Sequence, residues 1–172
     1  MLKYAKPYEE KLQERYLNII LDKDYMFYNN DCWWENEIEL SNDTWDSIDF
    51  VSIDENDDVL GFISASISRG NEKISSIAAI NFANKGNYTF SKDMYKFLID
   101  IFEKYNFRKI EFSVVVGNPV EKMFDKYVKK FGGSITGYKK KSVKLQDNLF
   151  YDTKFYEVFK PEFIKESNKL SK

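Results

Sequence analysis

The residue types in this 172-residue chain limit its chemistry to a few functional groups. Histidine is absent, which excludes a histidine general base, histidine-activated nucleophiles and histidine-containing metal sites. Cys32 is the only cysteine, so an intramolecular disulfide and a thiolate metal cluster are also excluded. Chemistry must therefore depend on carboxylates, tyrosine, lysine, serine, backbone amides or a bound cofactor, and we expect no metal.

The carboxylates are concentrated in one part of the chain. Residues 24–68 contain twelve acidic residues and neither Lys nor Arg. This segment carries −12 and the rest of the chain +10, although the net charge is only −2. The same segment contains all three tryptophans, whose indole faces can hold cations. Such asymmetry predicts partners of opposite charge rather than a particular fold.

The hydrophobic pattern predicts the elements that would position these groups. Apolar spacing predicts helices over residues 8–20, 91–105 and 120–131, and strands over residues 50–53, 59–68, 74–82, 109–116, 134–145 and 150–159. The order predicts an α/β (α+β) fold with a mixed, mostly antiparallel central sheet, one parallel crossover pair, and helices on both faces. We expect a single domain over residues 1–160 and a polar C-terminal tail over residues 161–172.

Three local features in sequence order resemble the GCN5-related N-acetyltransferase (GNAT) superfamily. Residues 74–82 lead through a loop into a helix beginning near Ser91. Residues 107–112 are similar to the family's helix-to-strand passage, and Asn118 directly follows the next strand. The resemblance covers residues 50–159, about two-thirds of the chain. It implies the acyl-CoA N-acyltransferase fold, with acetyl-CoA as co-substrate.

The resemblance implies a pyrophosphate site at the N-terminus of the helix that follows residues 74–82. The family's motif, Arg/Gln-x-x-Gly-x-Gly/Ala, falls on residues 86–91, where Thr89 and Ser91 replace the glycines. The basic residue of the motif is missing unless the neighbouring Lys85 or Lys92 takes its place. Backbone N–H groups and the helix dipole would still favour an anion there. The expected cofactor-binding residues are Phe82, Gly86, Asn87, Tyr88, Thr89, Ser91, Lys92 and Asn118.

Two residues of this implied site have alternative roles. Asn118 would hydrogen-bond the cofactor arm, but it could also cap the next helix, with Pro119 at the first helical position. In many relatives, a tyrosine seven residues after this Asn protonates the leaving thiolate. Here that position is Asp125, and the nearest tyrosine is Tyr127, which is therefore the candidate catalytic acid. Tyr127 also lies on the apolar stripe of its helix, and a role in the core is its alternative.

In the family, the region after the first helix forms the wall of the acceptor site. Here that region is the acidic segment, so we expect a cationic amine to bind at Trp33, Trp34, Glu35 and Glu37. Residues 74–82 lack the carboxylate that acts as general base in several relatives. The base would then be Glu35, Glu37, Glu39 or water, unless the substrate amine has a low pKa. The lysine-rich part, which includes residues 122–144, would face anionic CoA.

The leading hypothesis is an N-acetyltransferase for a basic primary amine: a polyamine-like or aminoglycoside-like molecule, or a protein lysine or N-terminus. The altered glycine motif and the missing strand carboxylate favour an alternative, a catalytically inactive GNAT-like domain that binds CoA or another partner. Nucleic-acid binding by the lysine-rich hairpin ranks last because the sequence has no RNP-like motif.

The sequence lacks the features that are typical of membrane and secreted proteins. No apolar run approaches the roughly 20 residues of a membrane span, and the first residues lack an apolar signal core. We therefore expect a cytoplasmic protein with no membrane partner. The abundance of Lys, Ile, Asn, Tyr and Phe is typical of a low-GC bacterium or its phage. The sequence leaves open whether the chain forms a homodimer.

Overall fold

One seven-stranded sheet organises the chain in the computed structural model, which describes residues 1–28, 37–83 and 86–170. The strands lie in the order β1-β2-β3-β4-β5-β7-β6. The elements in chain order are β1 (Leu2–Tyr4), α1 (Glu9–Leu17), β2 (Ser47–Ile53), β3 (Val59–Ser68), β4 (Lys73–Asn81), α2 (Tyr88–Glu103), β5 (Lys109–Val115), α3 (Glu121–Lys130), β6 (Ser134–Lys144), β7 (Phe150–Phe159) and α4 (Lys160–Leu170).

The strand directions confirm the predicted topology. Short turns join β2, β3 and β4 into an antiparallel meander, whereas β4 and β5 are joined through α2 and run parallel. Strand β7 then pairs antiparallel with both β5 and β6. The sheet is therefore mostly antiparallel with one parallel pair, as the element order predicted.

Helices cover both faces of the sheet, which is also as predicted. On one face, α2, α3 and α4 contribute Phe97, Phe124 and Phe163 to the larger core. On the other face, α1 buries Leu12 and Tyr16 against β2 and β3 in a smaller core. The apolar residues of α2 recur at helical spacing, so one face of this helix is buried along most of its length.

Two elements are additional to the predicted set. Strand β1 pairs with β2 over three residues, which is too short for a hydrophobic pattern to reveal. Helix α4 occupies most of the segment that the sequence treated as a polar tail. Its Phe163 is 1% exposed and lies among core aromatic rings. One buried anchor in an otherwise polar segment produces little helical periodicity, so the pattern missed this helix.

No helix among residues 1–28, 37–83 and 86–170 is long and apolar enough to cross a membrane. Within the same ranges, no group of three or more Cys, Asp or Glu side chains is arranged to hold a metal ion.

Candidate active site

A cleft opens between β4 and β5 where their pairing ends. Both strands lie within the described residues, and their parallel pairing consists of two residue pairs, Lys73–Lys109 and Ile74–Ile110. Beyond it, the edge of β4 that faces β5 presents backbone N–H and C=O groups without strand partners. A cavity of about 190 Å³, here called the splay cleft, lies between residues 77–80 and 113–115. The geometry therefore leaves an extended backbone edge available to a ligand that carries amide groups.

A second cavity, of about 500 Å³, lies at the N-terminus of α2 and is here called the α2 cleft. Gly86, Asn87 and Ser91 line one side of it, and Pro119 and Val120 line the other. Val120 also lines the splay cleft, so the two cavities are neighbours. Together they form a trough from the open edge of β4 to the first turn of α2.

The first turn of α2 is suited to an anion. The side chain of Asn87 caps the helix by accepting from the Phe90 N–H at 3.1 Å, which explains why α2 begins at Tyr88 rather than near Ser91. The N–H groups of Tyr88 and Thr89 have no partner within the helix. This turn contains no acidic residue, so no negatively charged side chain within the turn offsets the positive end of the helix dipole.

A glycine in β3 sets the distance between α2 and the sheet. The ring of Phe90, at the start of α2, lies directly over Gly61. A Cβ atom at position 61 would lie 2.4 Å from this ring and 2.6 Å from the carbonyl oxygen of Ile80. Because Gly61 lacks that atom, Phe90 can pack against the sheet and wall the α2 cleft.

The turn between β5 and α3 forms the opposite wall, and it is held by side chains. The side-chain oxygen of Asn118 accepts from the Val120 N–H at 3.0 Å, and Glu121 Oε2 accepts from the Gly117 N–H at 3.0 Å. Asn118 therefore closes a turn ahead of α3, which begins at Glu121, rather than capping a helix that starts at Pro119. Its side-chain NH₂ is a donor beside the splay cleft, so the cofactor role stays compatible with the turn.

Tyr127 lies in the core and is not among the described residues that line either cleft. Its side chain is 2% exposed, and its hydroxyl donates to the carbonyl oxygen of Leu98 in α2 at 3.1 Å. Burial raises the pKa of Tyr127 well above its usual value. This environment favours the core alternative over the catalytic acid, because the hydroxyl already has a partner away from the trough.

The Tyr127→Phe variant tests these two roles. Because only the hydroxyl is removed, we expect the free energy of unfolding to fall by about 1 kcal/mol, the typical net contribution of one hydrogen bond. Urea unfolding measures this loss, and the acetyl transfer that the sequence resemblance implies should stay within about twofold of wild type. A large fall in kcat with unchanged acetyl-CoA affinity would instead restore the catalytic role.

The position that carries tyrosine in many relatives is part of an ionic cluster here. Asp125 Oδ1 accepts from Lys154 Nζ at 2.6 Å and from the Tyr156 hydroxyl at 2.8 Å. The hydrogen bond from Lys154 is the main reason why the pKa of Asp125 is lowered. Asp125 is therefore a carboxylate held by a cation, not a proton donor that substitutes for the tyrosine.

The other predicted cofactor residues divide into two groups. The structure brings Gly86, Asn87, Ser91 and Asn118 to the clefts. Four further predicted residues, Phe82, Tyr88, Thr89 and Lys92, are not among the described residues that line them. Phe82 packs against the α1 core instead, whereas the side chain of Tyr88 is 83% exposed beside the first turn of α2.

The predicted acceptor residues are only partly described. Trp33, Trp34 and Glu35 lie outside the described residues. Glu37 is exposed and precedes Ile38, whose backbone is held by both ends of the Gln13 amide. Neither Glu37 nor Glu39 is among the described residues lining the clefts, so the structure does not bring them to the trough.

Sequence reasoning missed three residues beside the trough. Phe27 lines the splay cleft, and Asp24 and Tyr25 line the α2 cleft. The ring of Phe27 lies 5.8 Å from that of Tyr151, measured between centroids, and also lies beside Gly117, where the φ of +97° rather than a lack of space favours glycine. These residues belong to the 3-10 turn Lys23–Tyr28, which has no helical periodicity. The only sequence signal was a cluster of aromatic residues at the start of the acidic segment.

The strand order, the parallel pair of β4 and β5 and the opening between these two strands are those of the acyl-CoA N-acyltransferase fold. The resemblance seen in the sequence is thus confirmed for the fold. No sequence model of a protein family matches the chain, and no curated protein matches it by sequence.

Solved structures of acetyltransferases are similar to most of this chain. Spermidine N-acetyltransferase SpeG from Vibrio cholerae, in complex with CoA and spermine, is 17% identical with a TM-score of 0.71, over 95% of this chain and 97% of that chain. Mutant forms of SpeG from the same organism are 15% identical with a TM-score of 0.72, over 97% of both chains. A further match, an acetyltransferase of provisional assignment, is 20% identical with a TM-score of 0.56, over 75% of this chain and 64% of that one.

Proposed function

We propose that this chain is an N-acetyltransferase that moves an acetyl group from acetyl-CoA directly to a basic primary amine. The observation that carries the proposal is the trough, in which an unpaired β4 edge leads to the first turn of α2. An elongated ligand with amide groups in its arm and a pyrophosphate at one end matches that arrangement. The SpeG structure with CoA and spermine supports both the cofactor and the amine class.

The residues present fit acetyl-CoA at three points. The backbone of residues 77–80 would bind the amides of the pantetheine arm, with Asn118 donating from the opposite wall. The N–H groups of Tyr88 and Thr89 would bind the pyrophosphate. Exposed lysines on α3, including Lys122 and Lys126, would add positive charge on the same side.

Acetyl-CoA supplies the reactive thioester, and the chain supplies placement and electrostatics. The amine would react as the neutral base, because a protonated amine has no lone pair with which to attack the thioester carbon. Among the described side chains that line the splay cleft, Ser113 and Asn118 are the polar ones. The acidic segment, including Glu37 and the neighbouring Trp33, Trp34 and Glu35, would attract the cationic form before proton loss. We also propose that the protein is cytoplasmic.

The packing of Tyr127 and Asp125 favours a second candidate, a CoA-binding domain without transferase activity. Tyr127 is engaged in the core, and Asp125 is engaged by Lys154. No carboxylate is among the described residues that line the splay cleft. A domain of this kind would bind CoA as well as an enzyme does, but would not release free thiol in the presence of an amine.

Acetyl-CoA should raise the melting temperature of the protein, because a ligand that binds only the folded state stabilises it. At a concentration 100 times its Kd, the stabilisation is about 2.7 kcal/mol. Differential scanning fluorimetry with acetyl-CoA, and with adenosine as a control that lacks pyrophosphate and pantetheine, measures the effect. Absence of a shift at millimolar acetyl-CoA would refute the proposed function.

A thiol-release assay with spermidine, an aminoglycoside and a lysine peptide then separates the two candidates. Release of free CoA that depends on one of these amines supports the transferase. Binding of acetyl-CoA without thiol release from the whole panel would favour the inactive domain. Sedimentation velocity on the same sample determines whether the chain is a homodimer.

A further inference from the structure

A buried cation in β7 is linked to one wall of the trough without lining it. Lys154 is 5% exposed, and its Nζ donates to Asp125 Oδ1 at 2.6 Å and to Glu121 Oε1 at 3.2 Å. Burial alone would lower the pKa of Lys154, but its hydrogen bonds with Asp125, Tyr156 and Glu121 raise it above the usual value. Lys154 is therefore a permanent cation that ties β7 to two carboxylates of α3.

One of those carboxylates extends the link to the β5–α3 turn. Glu121 uses Oε1 for Lys154, and its Oε2 accepts from the Gly117 N–H at 3.0 Å. The continuous path Lys154–Glu121–Gly117 therefore ends at the residue immediately before Asn118. Asn118 and Val120, which follow, line the splay cleft.

The backbone of this turn is closed by hydrogen bonds from Asn118 N–H to the Val115 carbonyl oxygen at 3.0 Å and from Glu121 N–H to the Asn118 carbonyl oxygen at 2.9 Å, and the remaining N–H, that of Gly117, is held by the Glu121 side chain. Gly117 has φ +97°, a conformation that glycine adopts readily and from which it can also leave readily. Val116, which directly follows β5, donates its N–H to the Asp152 carbonyl oxygen in β7, whereas the Gly117 N–H donates to a side chain instead of a strand. Glu121 supplies the missing acceptor, and Lys154 fixes the orientation of Glu121.

A second lysine provides a matched comparison at the other end of β5. Lys109 also lies between two carboxylates, with its Nζ 2.8 Å from Glu111 Oε1 and 2.7 Å from Glu157 Oε2, and its side chain is 13% exposed. This ion-pair cluster lies at the start of β5, beside the parallel pairs that close the sheet. Lys109 therefore shares the chemistry of Lys154 but has no path to the turn.

We propose that Lys154 is a positioning residue, which acts through Glu121 to hold the β5–α3 turn in the shape that binds acetyl-CoA. The proposal rests on the proposed function, since it assigns a residue that sets the affinity of the same trough. Glu121 and Lys154 thus have a role in binding although neither of them lines the trough.

The Lys154→Met variant tests the role, with Lys109→Met as its control. Isothermal titration calorimetry should show the Kd for acetyl-CoA rising about tenfold in Lys154→Met and staying within about twofold in Lys109→Met. The amide resonance of Gly117 in ¹⁵N-labelled protein should shift upfield and exchange faster in Lys154→Met, as its acceptor loosens. Urea unfolding of both variants shows whether the losses of stability are comparable.

Variants of Glu121 test the same link if Lys154→Met does not fold. Glu121→Ala should reproduce the weaker binding and the Gly117 shift, whereas Glu121→Gln, which retains an oxygen acceptor, should lie closer to wild type. Unchanged acetyl-CoA affinity in both Lys154→Met and Glu121→Ala, or equal weakening in Lys109→Met, would overturn the positioning role alone. A wild-type protein that binds no acetyl-CoA would overturn the proposed function and this role with it.

Discussion

Replacing Ala78 with tryptophan is expected to abolish the proposed acetyl transfer while leaving the protein folded. Ala78 lines the splay cleft, and its side chain is exposed, so an indole there displaces no core residue. The cavity is only about 190 Å³, and an indole would fill much of the space that the acyl end of the proposed cofactor needs. We expect kcat/KM to fall at least about 100-fold, equivalent to roughly 2.7 kcal/mol of transition-state stabilisation.

Ser76→Trp is the matched control for this substitution. Ser76 lies two residues earlier on the same face of β4, is also exposed, and is not among the described residues lining either cleft. Both variants should melt within a few degrees of wild type, but only Ser76→Trp should retain the acetyl-CoA thermal shift. A folded Ala78→Trp variant with wild-type acetyl-CoA binding and turnover would contradict the assignment of the cleft.

The sequence predicted most of the fold because its long elements are strongly periodic. Apolar residues from Met94 to Tyr105 follow the helical repeat, and their spacing alone defines the buried face of α2. The crossover from β4 through α2 to β5 then required a parallel pair. The three-residue β1 could not be predicted in this way, because its identity as a strand comes from pairing with β2 and not from its own pattern.

The candidate site was less predictable, because a pattern gives the face of a residue but not what packs on it. The helical stripe of α3 predicted that Tyr127 points inward, yet both a core and a cleft lie on that side of the sheet. Lys154 is one of several lysines in the last two strands, and nothing in its local sequence marks it as buried. The carboxylates that pair with it lie 29 and 33 residues away in the chain. Tertiary contacts of this kind decide the roles of both residues.

Phe163→Ala should be the most destabilising of the substitutions considered, although the residue lies in the segment that the sequence treated as a tail. Its ring lies 4.7 Å from that of Phe102 and 4.8 Å from that of Phe131, measured between centroids, and it is 1% exposed. Truncating a buried phenylalanine typically costs about 3–5 kcal/mol, because the cavity left behind collapses only partially. Urea unfolding should therefore show a loss of about 3–5 kcal/mol.

The neighbouring Ile164 is the control, since it belongs to the same helix but is 45% exposed. Ile164→Ala should change the free energy of unfolding by no more than about 0.5 kcal/mol. A comparably small effect of Phe163→Ala would mean that α4 is dispensable and that the domain ends near residue 160. The expected large loss would instead place α4 within the folding unit, because Phe163 joins α2 to the end of α3 through Phe102 and Phe131. Those two helices also wall the α2 cleft, so the C-terminal helix would support the proposed cofactor site from behind the core.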